Sequence, residues 1–203
     1  MKKGILINIV LIGMICIIPN TKPIIENIST EIEEIKPVIT EVSSRSAETR
    51  KEIVKNISLN PNTDLRILSN LTENDYNNML KGTNLYGLGK TFVKIEQEYN
   101  INGLYMLGLV CLESNYGKSN FAIHRNNLVG WNAVDSNPNK ASYFKSKEEC
   151  LLFVSSKLKT NYLTYGGCYF EGYTGRDIDK HYCTDNKHID KICNIVNKLV
   201  KKI

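Results

Sequence analysis

One glutamate in this sequence is set up for acid chemistry. Glu113 follows the run Leu104-Tyr105-Met106-Leu107-Gly108-Leu109-Val110-Cys111-Leu112, which has the length of a buried helix and not of a strand. A carboxyl group at the end of such a helix loses hydration. The partial negative charge of the helix C-terminus acts in the same direction, so both favour the protonated form. Cleavage of a glycosidic bond needs such a group, because the leaving oxygen must receive a proton near neutral pH. The competing reading is a solvated glutamate that closes a helix and does no chemistry.

Two-carboxylate glycosidases need a base or nucleophile across the cleft. Asp135 is the first candidate, although Asp135-Ser136-Asn137-Pro138 is also good turn chemistry by itself. Glu148, Glu149 and Glu171 follow it. A substrate that supplies its own nucleophile would need only one protein acid. Trp131 is the single tryptophan; it could stack on a sugar ring or plug the core. Asn126 and Asn127 could reach sugar hydroxyls or hold a loop. Tyr165, Tyr169 and Tyr173 fall in a glycine-rich stretch, Gly166 to Gly175, that could line a groove.

His181, Cys183, His188 and Cys193 cluster in sequence, but their spacing fits no common zinc pattern, and Cys193 falls on an apolar helical stripe. There is no phosphate-binding glycine loop and no G-x-S-x-G elbow. No metal or cofactor is expected.

Around Glu113 the residue order becomes distinctive. Glu113-Ser114-Asn115-Tyr116-Gly117-Lys118-Ser119 is followed by Arg125-Asn126-Asn127-Leu128-Val129-Gly130-Trp131. The chain here resembles the glucosaminidase family of bacterial autolysins and phage wall hydrolases, the glycoside hydrolase family 73 type. Glu113, Ser114, Gly117 and Ser119 match its Glu-Ser-x-x-Gly-x-Ser stretch. Asn126, Asn127 and Gly130 match its Asn-Asn-x-x-Gly stretch. Gly130 to Asp135 looks like the loop that follows, and Tyr182-Cys183-Thr184-Asp185 resembles the closing Tyr-Ala-Thr-Asp. The resemblance covers about residues 65–203. It implies a mainly α, lysozyme-like domain with a cleft and a small β-lobe, and endo-β-N-acetylglucosaminidase action on bacterial peptidoglycan. By position Glu113 matches the general acid, and Tyr182 matches a tyrosine that faces the cleft. Tyr182 could also be a core aromatic with a bonded hydroxyl. A muramidase or lytic transglycosylase of the same superfamily would use the same Glu113. A wall-binding or envelope-assembly module would keep the fold without hydrolysis.

The elements that must hold these residues are mostly helical. Thr72-Glu73-Asn74-Asp75 opens a short helix with cap-type residues. Residues 91–99 and 104–113 form the next two, Ser119 caps another, and 147–162 and 188–203 form the last. Residues 132–143 read as a loop or small hairpin, and Gly166-Gly167 as a break. Cys168 and Cys183 could form a bridge.

Residues 20–62 differ, with no aromatic residue and no cysteine. Ile25, Ile28, Ile32, Ile35, Ile39 and Val42 recur at alternating three- and four-residue spacings. This stripe predicts a helical spacer that could self-associate. Pro37 is expected to kink or break it, which favours a solvated helix or partly disordered spacer. Upstream, Lys2 and Lys3 precede the apolar run Ile5 to Ile18. The pattern predicts a signal peptide or membrane anchor over residues 1–19 and an exported, cell-envelope protein. The catalytic domain is then 63–203. The chain has 203 residues, a net charge of +5 and 42% hydrophobic residues. That composition supports a real core, and the scattered lysines argue against nucleic acid as a partner. Mild positive charge suits an acidic wall polymer.

Overall fold

The structure, a computed structural model, describes residues 22–55, 57–133 and 140–203. The segment 1–19, with its apolar run 5–18, and Asp135 lie outside the described residues. Two compact units divide the chain, Met1–Ile53 and Val54–Ile203.

In the first unit the described part is one helix, α1 (Lys22–Lys55). The expected break at Pro37 does not occur, and the helix runs through it. A proline costs its own N–H bond and crowds the preceding turn. Pairs three and four residues apart flank that point, Lys36 with Glu33 at 2.7 Å and Arg45 with Glu41 at 2.8 Å. Ile35, Ile39 and Val42 of the stripe are exposed, as is the neighbouring Val38. Among the described residues no helix is long and apolar enough to cross a membrane.

The second unit is built from α2 (Glu73–Leu80), α3 (Gly89–Tyr99), α4 (Gly103–Glu113), α5 (Asn120–Arg125), α6 (Lys147–Asn161), α7 (Gly175–Tyr182) and α8 (His188–Leu199), with a closing 3₁₀ turn at Val200–Lys202. The mainly helical expectation holds. The only β feature among the described residues is a single antiparallel bridge, Asp64 to Thr174. The helix over 175–182 is not foreseen by the sequence reading. Its signal was present, since Thr174 and Asp177 form a reciprocal capping box.

Helix α4 is the axis of the core and is buried at every residue from Gly103 to Cys111. It packs most heavily on α8, and α3 packs on α2, α4 and α6. Gly108 permits the α4–α8 approach: a Cβ there would lie 2.7 Å from Val196 Cγ2 and 2.8 Å from Ile192 Cγ2. The start of α4 is pinned by two buried polar residues. Glu96 Oε1 accepts from Gly103 N (2.7 Å), Ser69 N (3.0 Å) and Tyr76 Oη (3.1 Å). Asn102 caps the helix through Leu104 N and Tyr105 N and donates to Ile67 O at 2.6 Å. With its N-terminus fixed and its sides packed, α4 delivers its last residue, Glu113, to a defined place.

Candidate active site

The turn after Glu113 explains the residues that follow it. Ser114 is buried, and its Oγ accepts from Gly117 N at 2.8 Å while donating to the Val110 carbonyl. Asn115, Tyr116 and Gly117 all take positive φ, 49°, 56° and 80°. At Gly117 a side chain would also collide with Leu85 and Asn84, a Cβ lying 2.9 Å from Leu85 Cδ2. Ser119 then caps α5 through Ala122 N. The Glu-Ser-x-x-Gly-x-Ser spacing is therefore the geometry of a tight reversal that starts from an exposed glutamate and turns on a buried serine.

Asn127 shapes the next loop. Fully buried, it receives Trp131 N at 2.8 Å on Oδ1 and donates from Nδ2 to Trp131 O and Ser142 O, both at 3.0 Å. Asn126 takes the left-handed position that ends α5 (φ 52°) and donates to Phe144 O at 2.9 Å. Both amides are bonded to backbone, and Asn127 holds Trp131 by both its N–H and its carbonyl. In the 132–143 segment, Ser142 N donates to Trp131 O at 2.9 Å.

Trp131 meets Phe153 edge-on at 5.1 Å. Together with Val154, Lys157, Leu158, Asn161, Tyr162, Tyr169 and Tyr182 it lines a pocket of about 70 Å³. Three of the sequence candidates, Trp131, Tyr169 and Tyr182, thus share one pocket. Tyr162 links its walls, 5.0 Å from Tyr169 and 6.1 Å from Tyr182 between ring centroids. Tyr165 is strongly exposed and meets Phe170, which in turn meets Tyr173. Arg66 lies 3.5 Å over the Tyr173 ring.

Tyr182 also connects this pocket to Glu113. Its ring stacks on His188 at 5.5 Å and 26°. His188 Nε2 lies 2.9 Å from Glu113 Oε1, and His188 Nδ1 lies 2.8 Å from Asp179 Oδ1. Asp179 Oδ2 accepts the Ile189 amide at 2.7 Å, at the positive end of α8. Three helices meet here: α4 brings Glu113, α7 brings Asp179 and Tyr182, and α8 brings His188. The His188 side chain is 5% exposed, the Glu113 side chain 29%. Glu113 is therefore less enclosed than its apolar run suggested, because it stands at the exposed end of α4. Burial disfavours the charged His188 ring, but the hydrogen bonds and charges of Asp179 and Glu113 outweigh it and raise its pKa to about 10. Burial, aided by the Glu113 charge, pushes the Tyr182 phenol well above its usual value, so it stays a neutral hydroxyl.

His188 and Asp179 are the site residues that sequence reasoning missed. His188 entered it only within a His/Cys cluster whose spacing fits no zinc pattern, and Asp179 not at all. Their partnership joins α7, α8 and α4 in space and leaves no spacing signature. The remaining cluster members lie elsewhere: His181 pairs with Glu171 at 3.0 Å, and Cys193 is buried. Among the described residues no group of three or more His, Cys, Asp or Glu is arranged to hold a metal ion. The bridge between Cys168 and Cys183 is not formed; both are free thiols, Cys168 exposed and Cys183 half-buried. Glu148 and Glu149 lie in the first turn of α6, with Glu149 at a second, open pocket beside Tyr99.

Comparison with known proteins agrees with this geometry. The family profile for glucosaminidase, described as mannosyl-glycoprotein endo-beta-N-acetylglucosaminidase, matches residues 89–201. The chain is 33% identical over 116 residues to proteins from two Streptococcus pneumoniae strains named "Putative endo-beta-N-acetylglucosaminidase". The match covers 57% of this chain but only 18% and 16% of theirs. Among solved structures, Staphylococcus aureus autolysin E superposes with a TM-score of 0.58 at 20–21% identity, covering 75% of this chain and 77–78% of that one. Its structures include a catalytic mutant with the disaccharide NAG-NAM and a complex with the muropeptide NAM-L-Ala-D-iGlu. The likeness establishes a shared fold.

Proposed function

The chain belongs to the glucosaminidase family, and from that premise we propose that it is an endo-β-N-acetylglucosaminidase that hydrolyses the glycan strands of bacterial peptidoglycan. One observation carries the reading. The glutamate of the family's leading motif stands at the outer end of a rigid buried helix, and Tyr182 connects it to an aromatic-walled pocket.

In this reading Glu113 is the general acid and protonates the glycosidic oxygen as the bond breaks. Its Oε2 has no hydrogen-bond partner among the described residues, whereas Oε1 is engaged by His188. The neutral phenol of Tyr182 serves as a fixed dipole for the sugar's developing charge or its 2-acetamido group. Trp131, with Tyr162 and Tyr169, offers apolar faces to a sugar ring. Asn126 and Asn127 support recognition by fixing the Trp131 loop. Asp135, or the substrate's own acetamido group, completes the displacement.

The net charge of +5 suits an acidic wall polymer. We place the catalytic unit at residues 63–203, behind a helical spacer at 20–62 and an export or anchoring segment at 1–19, and so at the cell envelope. The exposed stripe on α1 is the surface through which two copies would self-associate.

Digestion of purified peptidoglycan, followed by borohydride reduction and mass spectrometry, tests the bond. Reduced N-acetylglucosamine ends support the reading. Reduced muramic ends would make the protein a muramidase, and anhydromuramic ends a lytic transglycosylase. Wall binding without products would make it a non-catalytic module.

A further inference from the structure

We propose that His188, itself held by Asp179, is a positioning residue for this hydrolysis: its Nε2–H fixes Oε1 of Glu113 so that Oε2 is the oxygen offered to the glycan. The inference rests on Glu113 as the acid.

The geometry suits a charged ring. Both imidazole nitrogens face carboxyl oxygens, at 2.9 and 2.8 Å. A neutral imidazole has one N–H and would draw the acid's proton onto Oε1, toward Nε2; the imidazolium donates to both carboxyl groups and leaves that proton to Oε2. Its raised pKa, about 10, follows from the same two partners. The ring cannot turn away easily. It is almost wholly buried, Tyr182 covers one face, and Asp179 is locked by the Ile189 amide in the first turn of the helix that carries His188.

The other titratable groups around it do not supply this charge. From α4 come Glu113 and Tyr105, and burial keeps the Tyr105 phenol neutral by pushing it far up. From α7 come Asp179 and the neutral Tyr182. Asp185, in the turn before α8, is paired with Lys191 at 2.6 Å. His188 is thus the cation between two carboxylates.

A buried ring in contact with Oε1 holds the acid in one orientation. Loosening that hold should cost the chemical step more than substrate binding.

The test compares kcat and KM for the full-length wild type, H188Q, D179N and E113Q on solubilised peptidoglycan strands. For H188Q kcat should fall by about 10- to 100-fold as the acid loses its aim, with KM little changed. D179N, which keeps the ring but loosens its hold, should lower kcat in the same way by less. Nitrogen NMR of the wild-type imidazole supplies a readout independent of variant folding: His188 should remain doubly protonated above pH 8. A wild-type His188 that titrates near 6.5, or H188Q with the kcat of the wild type while E113Q is inactive, overturns the inference alone. An E113Q protein as active as wild type overturns the assignment of the acid, and this inference with it.

Discussion

Glu113 Oε1 lies 2.9 Å from Nε2 of His188, a residue 75 positions further along the chain. The contact joins the exposed end of the most buried helix to the first turn of the helix it packs against. Its consequence for the acid is different from that of simple burial. The apolar run before Glu113 suggests a carboxyl group kept protonated by desolvation, whereas its environment is a half-exposed carboxyl held by a charged ring.

That charge should be visible in stability. His188 has a folded pKa of about 10 against an ordinary value of 6.5. Its contribution is fully present below about pH 6.5 and is lost as the pH rises through 10. Denaturant titrations of the wild type should therefore show stability falling across that window. In H188Q the slope over the same window should be reduced.

Asn127→Ala removes three hydrogen bonds from a fully buried side chain and leaves backbone groups of Trp131 and Ser142 without partners. We expect a loss of roughly 2–4 kcal/mol, from about 1 kcal/mol or more for each buried group left unpaired. Chemical denaturation measures it. A change below about 0.5 kcal/mol, the level of an ordinary surface substitution, would show that the loop is not held as described.

Trp131 is the only tryptophan, so fluorescence excited at the red edge, where tyrosine does not absorb, reports on this one residue. Adding glycan fragments to E113Q should change its emission in a saturable way. Trp131→Ala should raise KM by roughly tenfold, the scale of one aromatic contact, with a smaller effect on kcat.

Tyr182→Phe keeps the ring that stacks on His188 and deletes the hydroxyl. If the phenol acts on the sugar, kcat should fall by roughly 100-fold while the melting temperature stays close to wild type. An unchanged kcat would leave Tyr182 only its packing role.

Much of the scaffold was legible because it is local. Leu104 to Glu113 could only be a buried helix, and the cap residues Thr72 and Ser119 open the helices expected of them. What escaped depends on contacts distant in sequence. The paired use of Asp179 and His188 arises where α4, α7 and α8 converge, and α7 itself was hidden behind a glycine-rich stretch. Pro37 misled because a proline's cost is finite and flanking ion pairs accompany an unbroken α1. Asn126 and Asn127 looked suited to sugars, and both turn out bonded to backbone, Asn127 fully so. A side-chain amide serves either use equally well, and only its neighbours decide.

The central claim is that Glu113 is the proton donor. The most direct measurement is the rate of reducing-end release from purified peptidoglycan by the full-length wild type and by Glu113→Gln, which keeps the shape and loses the acid. We expect the variant to be slower by roughly 10²- to 10⁴-fold, the usual contribution of a general acid, with wall binding and melting temperature preserved. Release by Glu113→Gln at a rate close to wild type would contradict the account.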